Sequence, residues 1–163
     1  ELADEVCGGV FSAGPDRCMA ASRAGVPAVI APGCVDMANF WSIDMVPERY
    51  KHRNLYQWNP NVTLLRTNVD ENRRIGEMIA AAANAATAPV AIVLPLRGVS
   101  MLDGIGANGM PNAFWDPEAD RACFDAIKAN VHPDIPVIEI DHNINDMAFA
   151  DAGAELLLGM LKG

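Results

Sequence analysis

Val90-Ala91-Ile92-Val93-Leu94 is a run of five apolar residues with no polar position to turn toward water. A strand that is apolar on both faces must be covered on both, the usual condition of a strand inside a parallel sheet. Similar runs occupy Val26 to Ala31, Val62 to Thr67 and Ile135 to Ile140. Helical stripes lie between or after them: Ile75, Met78, Ile79 and Ala82; then Ala119, Ala122, Cys123, Ala126 and Ile127; and finally Phe149, Leu156, Leu157 and Met160. Strand and helix patterns that alternate in this way predict one α/β domain over 1–163. Its architecture is a three-layer, Rossmann-like one: a mainly parallel sheet of four or more strands flanked by helices.

Punctuation between the runs agrees. Leu2, Ala3 and Val6 predict a short helix ended at Gly8-Gly9, and Pro15 opens a second that Gly25 stops. Asn68 with Glu71 three residues on forms a capping box, and Asp116-Pro117 caps and starts another helix. The last helix begins at Asn145 or Asp146. Residues 32–61 lack periodicity but carry Trp41, Tyr50, Tyr56 and Trp58, which predicts an ordered excursion, because disordered segments are poor in aromatics.

Composition removes some classes of function. Acidic residues outnumber basic ones 21 to 12, a net charge of −9 that repels phosphate backbones and argues against DNA. No apolar stretch is long enough to span a membrane, and no charged start leads into an apolar signal region. Cys7, Cys18, Cys34 and Cys123 show no C-x-x-C pair, which predicts free thiols and a cytoplasmic setting. The chain opens Glu-Leu-Ala-Asp-Glu-Val with no Met, as expected of a fragment cut from within a helix.

Open parallel sheets bind ligands beyond the carboxyl ends of their strands, and polar residues gather at those ends here. The four segments supply Gly33 and Asp36; Arg66; Arg97, Gly98, Ser100 and Asp103; and His142, Asn145 and Asp146. An arginine beside a glycine at a strand end can grip a carboxylate or phosphate, so Arg97 is the leading contact for a small anionic ligand; pairing with an acid such as Asp103 is the alternative. His142 among Asp141, Asn143, Asn145 and Asp146 could supply a base, against the plainer reading of Asp146 as a helix-start acid. Ligand spacing for a metal is lacking. Arg49, Lys51, His52 and Arg53 form a basic knot that meets an anion or partner, or is simply solvated. Cys34 reads as a buried cysteine rather than a nucleophile.

The loop from Pro95 to Asp116 is long enough to be functional. Within it Gly104-Ile105-Gly106-Ala107-Asn108-Gly109 spells the dinucleotide pattern G-x-G-x-x-G. That pattern works only between an adjoining strand and helix, neither of which the sequence supplies.

Gly9 to Arg17, Pro32-Gly33 with Val35-Asp36-Met37, Val62 to Thr67, Pro95 to Ser100 and Asn145-Asp146 together resemble the UPF0261 family, also called Tm-1-like ATP-binding proteins. The resemblance covers nearly the whole chain and matches the C-terminal half of that family. It implies a missing N-terminal domain that carries most of an ATP site; an acidic strand-end residue of this chain could act as a base or carry Mg²⁺ between itself and the phosphates. Cys34 stands where the family has a small residue, and the 104–109 glycine pattern is peculiar to this chain. Two functions follow. In the first, the strand-end residues face an inter-domain cleft of an ATP-linked metabolic enzyme. In the second, the domain is a non-catalytic regulatory or dimerisation module, its aromatic 32–61 segment forming a homo-oligomer interface.

Overall fold

The computed structural model describes residues 1–162 and is an α/β structure with two small sheets. Helices α1 (Leu2–Cys7) and α2 (Met19–Ala24) lead to β1 (Ala28–Ile30). Strands β2 (Met37–Phe40), β3 (Leu55–Asn59) and β4 (Val62–Arg66) follow, then α3 (Val69–Asn84) and β5 (Val90–Pro95). Helix α4 (Pro117–Asn130), β6 (Val137–Ile140) and α5 (Met147–Lys162) complete the chain.

The parallel sheet has three strands in the order β1-β5-β6, not four or more. Val62–Arg66, expected in it, pairs instead with β2 and β3 in an antiparallel sheet of order β2-β4-β3. The reason is burial: Thr63 to Arg66 are buried as thoroughly as a parallel central strand, so side-chain pattern alone does not separate the two cases. The aromatic excursion is ordered, as expected: it forms β2, β3 and two short 3-10 turns, and Tyr50 donates to the Cys7 carbonyl at 2.9 Å.

All six residues of β5 are buried. Val90, Ile92 and Leu94 join a core with Ile75, Ile79, Cys123 and Ile127, while Ala91 and Val93 are buried on the other face. Helices α3 and α4 pack against each other closely enough that a Cβ added to Gly76 would overlap the Cys123 carbonyl. The caps behave as predicted: Asn68 and Glu71 bond each other's backbone, Asp116 accepts from the Ala119 amide, and Gly8 and Gly25 end their helices with positive φ. The second helix starts at Met19, later than Pro15 suggests, because residues 15–18 form turns.

The four cysteines are free. Cys34 is exposed rather than buried, at a positive φ of 53° in the turn after β1. Among the described residues no helix is long and apolar enough to cross a membrane.

Candidate functional site

The loops that leave β5 and β6 are locked together. Arg97 donates twice to Asp141, at 2.8 and 2.7 Å, and its amide donates to the His142 carbonyl at 3.2 Å. The Ile144 amide donates to Gly98 at 3.0 Å, and the Asn143 side chain donates to the Ser100 carbonyl at 3.1 Å. Gly98, at φ 135°, has no room for a side chain: a Cβ would overlap the Asn143 amide and sit 3.0 Å from the Asp103 carbonyl. Gly104, at φ 89°, packs against the Arg97 carbonyl and closes a tight ring over 97–104. Both positions need glycine for conformation and for space.

Behind this ring lies a buried polar layer. Ser100 Oγ donates to Asp36 Oδ2 at 2.6 Å and accepts from the Leu102 amide at 3.0 Å. Asp103 Oδ2 accepts from the Val99 amide at 2.8 Å. Arg66 is the cation of the layer. Its Nε donates to the Phe114 carbonyl at 2.7 Å, and its Nη2 to Asp120 Oδ1 at 2.7 Å and the Asp116 carbonyl at 3.2 Å. One guanidinium thus offsets the charge of two buried acids, Asp36 and Asp120, with the buried Asp103 close to both. Burial pushes the Asp36 carboxyl up to about 6, against the Ser100 hydrogen bond and Arg66. Burial pushes Asp120 up to about 7, and the nearby Asp103 adds to the effect while Arg66 opposes it. Asp36 Oδ1 and Asp103 Oδ1 are left without a hydrogen-bond partner.

The layer opens into a cavity of about 790 Å³. Its floor is Pro95 to Gly98 with Asp103 to Ile105. One wall is the stripe of α4 that carries Asp120, Arg121, Phe124, Asp125 and Lys128, with Trp115 and Pro117 at its start. Glu139, Asn143 and Asp146 form the other side. Two of its three cations are already engaged, Arg97 by Asp141 and Lys128 by Glu139 and Asp125. Arg121 has no ion pair among the described residues, so it is the cation free to meet an anion.

The sequence-predicted residues divide into three groups. Arg97, Gly98, Asp103 and Asp146 line the cavity. Asp36, Arg66 and Ser100 sit behind it, with Arg66 reaching it only through Asp120 and Ser100 bound to Asp36. Gly33 lies apart, in a smaller hollow with Cys34, while His142 and Asn145 are exposed on the rim. His142 Nδ1 is 3.3 Å from Asp146 Oδ2, and the Asp146 carboxylate also accepts from the Asn143 amide at 2.9 Å at the start of α5. Arg97 pairs with Asp141, not Asp103. The basic knot is largely spoken for: Arg53 makes two bonds to Glu71 at 2.7 and 2.8 Å, and Lys51 pairs with Glu48. Although its surface is exposed, partial desolvation by the surrounding turn raises the Cys34 thiol, with Asp36 adding to it, which is the opposite of nucleophile activation.

Asp120 and Arg121 were not anticipated. They sit on the polar flank of a helix that the sequence marks by its apolar stripe, and the spacing of Pro117, Arg121, Phe124 and Lys128 on one side is the signal that would have found them. The glycine pattern at 104–109 is the start and tip of a small hairpin, where Ile105 bridges Pro111 and the Gly106 amide donates to Met110 at 2.8 Å. It lacks the adjoining strand and helix that a pyrophosphate cradle needs. Among the described residues no three His, Cys, Asp or Glu side chains are grouped to hold a metal ion.

Residues 1–161 match the family model described as "Uncharacterised protein family (UPF0261) C-terminal domain". A UPF0261 protein of Clostridium tetani is 45% identical over 163 residues, covering 99% of this chain and 39% of that protein. A UPF0261 protein of Mesorhizobium japonicum is 43% identical over 159 residues, covering 96% of this chain and 39% of its own length. The tomato (Solanum lycopersicum) "ToMV susceptible protein tm-1(GCR26)" is 33% identical over 162 residues, 98% of this chain and 21% of the tomato protein. The chain therefore spans about two fifths of the bacterial relatives it matches.

Proposed function

The chain belongs to the UPF0261 C-terminal domain family, and we propose that it forms one wall of an inter-domain ligand cleft, the other wall coming from the remainder of a longer protein. The observation that carries this reading is the cavity at the carboxyl ends of β5 and β6, which holds a free Arg121 beside buried acids. The ligand is a small metabolite with a carboxylate or phosphate. Arg121 is its counter-ion, and Gly98 and Gly104 hold the floor in shape by letting the 97–104 loop pack on itself. On this reading the whole protein is an ATP-linked metabolic enzyme of the cytoplasm. ATP is bound mainly by the part of the protein outside this chain, and among the described residues no three His, Cys, Asp or Glu side chains are grouped to hold a metal ion.

A thermal-shift screen of small carboxylates and phosphates on the full-length protein tests the reading. The expected result is a stabilising ligand whose effect is largely lost in Arg121→Gln. A ligand at about a hundred times its Kd stabilises by about 2.7 kcal/mol, well within reach of the method. Equal stabilisation of the variant by every hit would remove Arg121 from the site.

A second reading rests on the exposed side chains Phe11, Trp41, Met45 and Trp58, with Phe11 and Trp41 stacked edge to face. A solvent-facing group of this kind fits a subunit interface, and hence a regulatory or dimerisation module. Light scattering distinguishes it: a strict monomer at all concentrations removes the homo-oligomer.

A further inference from the structure

Asp103 is 1% exposed, bonds the Val99 amide through one oxygen, and turns a second, unpartnered oxygen toward no donor of the chain. Asp103 and Asp120 line the same cavity, and Asp103 is close enough to push the Asp120 carboxyl up. Two ionised carboxylates cannot bond, since each only accepts. A single proton between them supplies the missing donor and removes a like-charge repulsion in a dry setting. Arg66 determines where charge settles when that proton leaves. Its Nη2 is already 2.7 Å from Asp120 Oδ1, and its Nε is committed to the Phe114 carbonyl, so the guanidinium is fixed in place beforehand.

We propose that Asp103 and Asp120 share one proton and form the acid–base group of the cleft, which passes that proton to a carbonyl or hydroxyl oxygen of the small acid held by Arg121. In the step the Asp120 O–H bond breaks and an O–H bond forms on the ligand oxygen. The electron pair stays on Asp120 as a carboxylate facing Arg66. The return of the proton from solvent or product restores the pair, and no oxidant or co-reactant is required. Arg121 and Asp120 line the same cavity, so the anionic group and the reacting oxygen belong to one small molecule. The groups that bear on Asp120 are Arg66 from β4 and Asp103 from the loop, with Cys123 on the next turn of the same helix and Arg121 lining the same cavity. Burial, reinforced by Asp103 and opposed by Arg66, leaves Asp120 titrating near 7, where both protonation states are populated at neutrality. The ligand's identity rests on the reading given above; the existence of the pair does not.

Two measurements on the ligand-free chain test the pair. The first follows ¹³C-labelled aspartate carboxyls by NMR from about pH 4 to about pH 9. One carboxyl is expected to titrate near neutrality, to vanish in Asp120→Asn, and to move down by about one pH unit or more in Asp103→Asn. The second is amidation with a water-soluble carbodiimide and a small amine, mapped by peptide mass. Asp120 is expected to label through the cavity together with the surface carboxylates, while Asp36, fully buried behind it, stays unlabelled. A buried structural pair sealed from the cavity would not take the reagent. Aspartates that all titrate below about pH 5, or an Asp120 that stays unlabelled throughout, would overturn the proposal. The unsubstituted chain gives both readouts, so a variant that fails to fold leaves the test intact. Neither readout uses the ligand, so loss of the Arg121 effect and loss of the pair are separate outcomes.

Discussion

Arg66 is one cation between two buried acids, Asp36 and Asp120, and the pH dependence of the fold follows from their burial. Asp36 and Asp120 bind protons more tightly in the folded chain, about 6 and about 7, than an unfolded aspartate does at about 3.9. Their stabilising contribution is therefore complete below about pH 4 and is lost as pH rises through the folded values. Glu71, whose carboxyl is held low by Arg53 and the Asn68 amide despite its burial, works the other way: its contribution is present at neutrality and fades as pH falls. Denaturant melts should show a higher midpoint at pH 5 than at pH 8, and Asp120→Asn should narrow the gap; a gap that Asp120→Asn leaves untouched would assign the effect elsewhere. Asp120→Ala should cost about 3–5 kcal/mol at pH 7, since it strands a buried guanidinium. Asn, which keeps an acceptor for Arg66, should cost less. Arg66 was legible in the sequence as a strand-end polar residue. That it faces inward was not, because its partner Asp120 lies 54 positions away on a helix.

The two long central helices show where glycine sets a distance. A helix-interior Gly→Ala change usually gains about 1 kcal/mol. Gly76→Ala should reverse that sign and destabilise by about 1–3 kcal/mol, because the new Cβ would overlap the Cys123 carbonyl and lie 2.8 Å from Ala126 Cβ. Gly153→Ala in α5, where a Cβ meets nothing within 4 Å, is the control and should stabilise in the same thermal melts. Helix ends were readable because their chemistry is local: Asn68 with Glu71, and Asp116 with Pro117, act within a single turn. The partners of Val62–Arg66 were not, because strand pairing is decided by segments far apart in the chain. The buried Asp4 escaped notice for the same reason: it holds α1 to β2 by accepting from the Asn39 amide and side chain at 2.8 and 2.9 Å.

Across the whole molecule apolar surface is unevenly covered. Helix α5 buries only Phe149, while Leu158 is 52% and Leu161 61% exposed. Together with a chain that spans 39% of its bacterial relatives, this marks a face with unmet packing. The paired substitutions Leu158→Glu and Leu161→Glu should leave the thermal midpoint within about 2 °C, as surface changes do. They should also lower any self-association seen by light scattering; a drop of many degrees would show that α5 packs more tightly than its exposure indicates. The position of the cavity was foreseeable from the parallel-sheet rule, and its floor residues Arg97, Gly98 and Asp103 from the strand ends. Its α4 wall was not, because a helix flank reveals itself only once the neighbouring strand is in place.

The small hairpin beyond Gly104 has a use for protein engineering. The Asn112 amide donates to Gly104 at 3.0 Å and the Phe114 amide to Leu102 at 2.7 Å, so both stems are anchored below the turn. Ala107, Asn108 and Gly109 stand outside those anchors, exposed to water. The tip is therefore a natural insertion point, where a reporter peptide or recognition sequence can be spliced in at the mouth of the cleft while Asp103 keeps its place below.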